Sequence, residues 1–173
     1  MSGKRKLTAG ILLVLLVCNL CFIWGNSLVS RAESHNLSVG VLGFLPPFWQ
    51  ALGLSEEEMV HLLRKAAHFT EFACLGGLST GLLTLFRKPK VSPVFHLLAG
   101  GFLVAAIDET IQIFTGRGSQ LQDVWLDFAG FATGLAIVLV VRAIVGKSQP
   151  VETPGDNVIS FPEERAKREK KVK

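Results

Sequence analysis

The stretch Ala105–Gly130, AAIDETIQIFTGRGSQLQDVWLDFAG, decides the fold. Two apolar segments meet here across a turn marked by Gly116 and Gly118. Polar groups sit inside or beside both: Asp108, Glu109 and Gln112 before the turn, Arg117 in it, Asp123 and Asp127 after it. An ionisable side chain at a bilayer centre costs roughly 2.5–3.5 kcal/mol on insertion scales, so this much charge in such apolar company requires partners, water or a function. The chain supplies partners earlier, at Arg64, Lys65, His68 and Glu71.

Working outward, 49% of the residues are hydrophobic and the mean hydropathy is +0.42. Together with apolar runs near the spanning length of roughly 20 residues, this predicts an all-α, polytopic membrane helical bundle. About four transmembrane helices are expected, plus an interfacial or re-entrant segment. Cys18, Cys21 and Cys74 fall in apolar runs and read as small buried hydrophobes, without the even spacing of a disulfide framework. A net charge of +4 and a pI near 9.2 raise the question of nucleic acid, but no such binding motif is present, and membrane orientation accounts for the basic residues better.

The first span is placed at about residues 7–26, behind Lys4, Arg5 and Lys6. No small-x-small cleavage site follows it cleanly, which favours a retained helix over a signal peptide. Asn26 to Asn36 is polar. Leu37 to Leu54 is apolar but broken by Gly40, Gly43, Pro46 and Pro47, with Phe48 and Trp49 suited to the headgroup layer, so it reads as re-entrant or interfacial. Ser55 and Glu58 form a capping-box pattern that starts a long second helix, its membrane part at about 66–86 with Gly77 and Gly81 as a close-packing pair. Further spans are placed at about 94–114 and 124–145, the last with Gly130 and Gly134 as a small-residue face. Residues 1–146 thus form the transmembrane domain, and residues 147–173, with Pro150, Pro154 and Pro162 among alternating charges, form a disordered cytoplasmic tail. Its basic end is suited to anionic inner-leaflet lipid, at about 1 kcal/mol per basic residue near the surface.

Lys and Arg concentrate on the cytoplasmic side of membrane proteins. With the N-terminus inside, most of the 18 basic residues fall there, so both termini are expected to be cytoplasmic in a multi-pass cell-membrane protein. The ends of spans one and three and the starts of spans two and four then fall together on the outer side. Helical phase gives each a polar face: Arg64, His68 and Glu71; Asp108 and Gln112; Asp123, Asp127, Gly130 and Gly134. Taken alone, these charges read as structural ion pairs, Arg64 or Lys65 with Asp108 or Asp127. Yet Arg64, Lys65 and Arg117 face five carboxylates, Glu71, Asp108, Glu109, Asp123 and Asp127. Simple pairing leaves an excess, which a shared proton, a protonated His68 or a bound cation would offset.

Arg64-Lys65-Ala66-Ala67-His68-Phe69-Thr70-Glu71-Phe72 resembles the RKxxHfxEy signature of the VanZ-like membrane proteins. Asp108-Glu109-Thr110-Ile111-Gln112, then Arg117, Asp123 and Gly130, resembles their DExxQ…R…D…G block. Asp127 departs from that pattern, where Asn is more usual. The resemblance implies a small bacterial multi-helix membrane protein of the cell envelope, associated with low-level resistance to the glycopeptide teicoplanin; it implies no biochemical mechanism.

His35, His61 and His96 read as solvated or interfacial, because none has a second ligand at a binding spacing. A metal on His68, Glu71 and Asp108 is the weaker reading, and no metal or other cofactor is assigned. Three function classes compete. The first is binding of an envelope lipid, cell-wall precursor or lipoglycopeptide in the outer leaflet. Its ligand residues would be Arg64, Lys65, His68, Glu71, Asp108, Glu109, Gln112, Arg117, Asp123 and Asp127, the cations holding phosphate or carboxylate. The second is a membrane enzyme acting on a lipid-linked phosphate or headgroup, with His68 as base and Glu71, Asp108 or Glu109 as acid partners. The third, an ion pathway, lacks corresponding charges in the inner half of the spans. Binding is favoured over catalysis because no unambiguous nucleophile is present.

Overall fold

The computed structural model describes residues 3–44, 48–51, 53–86, 90–116 and 120–147. Among these residues the chain is helical, with no strand: α1 (Gly3–Leu28), α2 (Arg31–Leu42), α3 (Phe48–Ala51), α4 (Glu56–Phe86), α5 (Val91–Phe114) and α6 (Leu121–Lys147). Four of them, α1, α4, α5 and α6, are long and apolar enough to cross a membrane. The shortest, α5 with 24 residues, measures about 36 Å against a hydrocarbon core of about 30 Å. The protein is a multi-pass, all-α membrane bundle.

Local chemistry explains where the helices begin. Ser55 Oγ accepts from the Glu58 amide at 3.2 Å and Glu58 Oε2 accepts from the Ser55 amide at 2.8 Å, so the expected capping box starts α4. The same device at Ser30 and Glu33 starts α2, within a region where the sequence alone suggests a polar connection followed by a broken apolar segment. α2 has 12 residues, about 18 Å, too short to span. Pro46 and Pro47 lie outside the described residues. So do Arg117 and everything after Lys147.

The core forms where Ile23 of α1, Phe72 and Leu75 of α4, Ala105 of α5, and Val124, Phe131 and Leu135 of α6 meet. Glycine sets how closely two of these helices approach. A Cβ at Gly76 would collide with the Phe131 carbonyl, one at Gly130 with the Phe69 carbonyl, and one at Gly134 with the Ala73 carbonyl. On α4 the glycine whose own Cβ would clash is therefore Gly76 and not the expected pair: a Cβ on Gly77 or Gly81 would have only ordinary neighbours, at 3.8 and 3.7 Å, although the Gly77 backbone lies against Gly134. Backbone contact of this kind is how helices pack in lipid, where apolar side chains gain nothing from leaving one solvent for another like it.

Large apolar side chains stay exposed along α1, α5 and α6, among them Val14, Phe22, Leu103, Ile137 and Val141, as a lipid-facing surface requires. The three cysteines correct the sequence reading. All carry free thiols and all are exposed on their helices, because the apolar runs holding them present that face to lipid rather than to the core. Ala143 closes the compact unit; of the second unit, from Ile144 on, the described part is the last turn of α6.

Candidate functional site

Four helix segments deliver the polar residues. Asp108 lies six residues before the end of α5 and Asp127 six residues after the start of α6, each about 9 Å along its axis. His68 comes from the middle of α4, and Ser27 from the last turn of α1. Asp108 is fully buried and Asp127 only 1% exposed. His68 Nδ1 stands 3.8 Å from Asp108 Oδ2 and 3.8 Å from Asp127 Oδ1, so one imidazole nitrogen faces two buried carboxylates.

Asp108 is held in place. Ser27 Oγ donates to Asp108 Oδ1 at 2.6 Å, and Gln112 Nε2 donates to Asp108 Oδ2 at 2.9 Å and to Glu109 Oε1 at 2.8 Å. The i+4 and i+3 spacings place that amide over both acids on one face of α5. Thr115 Oγ1 donates to the Ser27 carbonyl at 3.0 Å, tying the ends of α1 and α5 together. Asn26 Nδ2 donates to Glu71 Oε1 at 3.0 Å. The sequence places Asn26 and Ser27 on this side as the polar end of span one but not as ligand residues, and Thr115 only as a loop residue, since a polar residue at the end of an apolar run looks like an ordinary span end.

The expected cations fall elsewhere than foreseen. Lys65 Nζ pairs with Asp123 Oδ1 at 3.3 Å, at the partly exposed rim. Arg64 makes no ion pair with Asp108 or Asp127 among the described residues; its Nη2 lies 3.4 Å from His61 Nδ1. Arg64 and Lys65 are one position apart, about 100° around the helix, so Lys65 meets Asp123 of α6 while Arg64 lines both cavities beside the cluster. Glu71 is drawn to Asn26, and its place beside His68 and Asp108 in the expected ligand trio is taken by Asp127.

Two cavities adjoin the cluster. One of about 320 Å³ lies between the end of α1, α2 and α4. Phe22, Val29, Leu37, Val41 and Leu63 are among its apolar lining residues, and Asn26, Arg64, His68 and Glu71 among its polar ones. The other, about 20 Å³, is lined by Arg64, Lys65, His68, Glu109, Gln112, Asp123 and Asp127, and has room for a single water or ion. Arg64 and His68 line both.

A multi-pass helical protein with a buried His–carboxylate cluster beside a largely apolar cavity is the class that this fold and site define. More particularly, the chain belongs to the VanZ/LLP1 family, whose model matches residues 11–142 and so covers every residue of the cluster. No curated protein and no solved structure matches it.

Proposed function

We propose that the protein binds an envelope lipid or lipid-linked cell-wall component, its acyl portion in the cavity under α2 and its phosphate or carboxylate at Arg64. The observation that carries this reading is the make-up of the 320 Å³ cavity: a mostly apolar lining that includes Phe22, Val29, Leu37, Val41 and Leu63, together with a guanidinium that has no carboxylate partner among the described residues. A volume at the lower end of the ligand-pocket range suits part of a chain plus a headgroup rather than a whole lipid. A guanidinium offers two parallel donors to a phosphate or carboxylate. In this proposal the cavity faces the outer leaflet and both termini are cytoplasmic. The lipid tail of a lipoglycopeptide fits the same description, which is how family membership would translate into low-level teicoplanin resistance.

Native mass spectrometry of the protein released from nanodiscs of bacterial lipid tests it. Wild type should retain an anionic lipid. Arg64→Gln should retain roughly 10–100-fold less, the worth of one or two charge-assisted hydrogen bonds at about 1.5–3 kcal/mol. Leu37→Trp, which fills the apolar wall, should lose it as well. Equal lipid in all three refutes the assignment. A second reading, an enzyme acting on the bound headgroup with His68 as base, draws on the placement of His68 between two carboxylates; a lipid product of changed mass in the same spectra would favour it.

A further inference from the structure

We propose that His68 Nδ1, one oxygen of Asp108 and one of Asp127 form a site for a divalent transition cation of the Mn²⁺ or Zn²⁺ type. This goes beyond the lipid reading and does not depend on it. The candidate ligand atoms all lie within 4.8 Å of one another, and both nitrogen–oxygen distances are 3.8 Å. Ligands at about 2.0–2.2 Å from a metal stand about 3 Å apart at right angles and about 4.3 Å apart across it. The observed spacing falls between these limits. It is too long for a hydrogen bond from Nδ1 to Asp108 Oδ2 or Asp127 Oδ1.

The cluster does not rest on proximity alone. Asp127 is 1% exposed, and neither of its carboxylate oxygens has a hydrogen-bond partner among the described residues. An ionised carboxylate buried in that state is costly unless a proton or a cation meets it, and the His68 nitrogen and the second carboxylate beside it are the donor set that a cation would use. Among the described residues, no lysine or arginine is paired with Asp127: Lys65 is engaged by Asp123, and the Arg64 guanidinium lies by His61. Space is available, since Asp127 and His68 both line the 20 Å³ cavity. Charge is matched, because two carboxylates and a neutral imidazole balance one divalent ion. The surroundings also resemble those of a metal centre, where ligating carboxylates are themselves hydrogen-bonded: Ser27 and Gln112 fix Asp108 from outside the cluster. One nitrogen and two oxygens suit Mn²⁺ or Zn²⁺ better than Mg²⁺ or Ca²⁺, which prefer oxygen throughout. The remaining coordination positions would face the small cavity, within reach of water or an anionic headgroup.

The test uses the full chain in detergent, stripped with chelator, then titrated with Mn²⁺ and separately with Zn²⁺. Bound metal is read by mass spectrometry after desalting, and Mn²⁺ also by electron paramagnetic resonance. Wild type should take up about one equivalent of one of these ions, as a single three-ligand site requires. His68→Ala and Asp127→Asn should lose it, Ser27→Ala should bind about 10–100-fold more weakly, and His96→Ala should match wild type. Asp127→Asn keeps the side-chain volume and removes a buried charge, so it should elute and melt as a folded protein in the metal-free state, and metal should raise the melting temperature of wild type alone of the two. Absence of saturable uptake by wild type, or undiminished uptake by Asp127→Asn, overturns the proposal whatever the lipid experiment shows.

Discussion

Ser27 has no accessible surface, and its hydroxyl donates to Asp108 Oδ1 at 2.6 Å. Removing a donor from a buried carboxylate costs about 1–3 kcal/mol, because the acceptor keeps its desolvation penalty and loses the compensation. Ser27→Ala should therefore lower stability by that amount in thermal unfolding of the detergent-solubilised protein. Thr70→Ala makes the control: its hydroxyl donates to the Ala66 carbonyl on an exposed face, and its loss should stay within about 0.5 kcal/mol. Equal effects would show that the Ser27 hydroxyl bond is of no structural account. At this scale the sequence was informative about which residues are polar and uninformative about which touch. His68, Asp108 and Asp127 were singled out because charge in an apolar run stands out. Which of the two adjacent cations pairs, and with which acid, was not legible: Lys65 pairs with Asp123, and hydropathy does not report helix rotation finely enough to choose between neighbours about 100° apart.

The contact between α4 and α6 makes a prediction about elements. Gly134 sits where a methyl group would overlap the Ala73 carbonyl and come within 2.9 Å of the Gly77 amide nitrogen. Both are backbone and neither can swing aside, so Gly134→Ala must push the helices apart. A loss of about 1–3 kcal/mol is expected, the usual cost of overpacking. A methyl group at Gly100, within α5, would meet nothing within 4 Å, and Gly100→Ala should be neutral or stabilising by up to about 1 kcal/mol through helix propensity. Comparing the two variants by thermal melting or by retention on size exclusion separates helix contact from propensity; similar behaviour would mean that α4 and α6 do not meet through Gly134. Element starts were the most legible feature, because a capping box is local: Ser55 and Glu58 revealed α4 outright. Ser30 and Glu33 carried the same signal for α2, masked by the polar run around it. Choosing Gly76 over Gly77 and Gly81 needed the partner helix, which one helix's sequence does not contain.

Across the whole molecule, the polar cluster lies toward the C-terminal ends of α1 and α5 and the N-terminal part of α6, which fixes it to one end of the bundle. Which side of the membrane that end faces is a matter of charge rather than packing. Most of the 18 basic residues belong to the opposite end or to the C-terminal segment, and short basic segments stay cytoplasmic. The cluster is accordingly expected on the outer side. Single cysteines test this, and the chain is suited to the method: Cys18, Cys21 and Cys74 are all exposed on helix surfaces, so replacing them by alanine opens no buried cavity. In that background Gln120→Cys, just before α6, should react with a membrane-impermeant maleimide in intact cells, and Lys90→Cys, just before α5, only after permeabilisation. Both positions are exposed, so a difference between them reports sidedness and not burial. The reverse pattern would turn the bundle over, move the lipid cavity to the cytoplasmic leaflet, and remove the route by which an external glycopeptide reaches it while leaving the proposed His68–Asp108–Asp127 metal site intact.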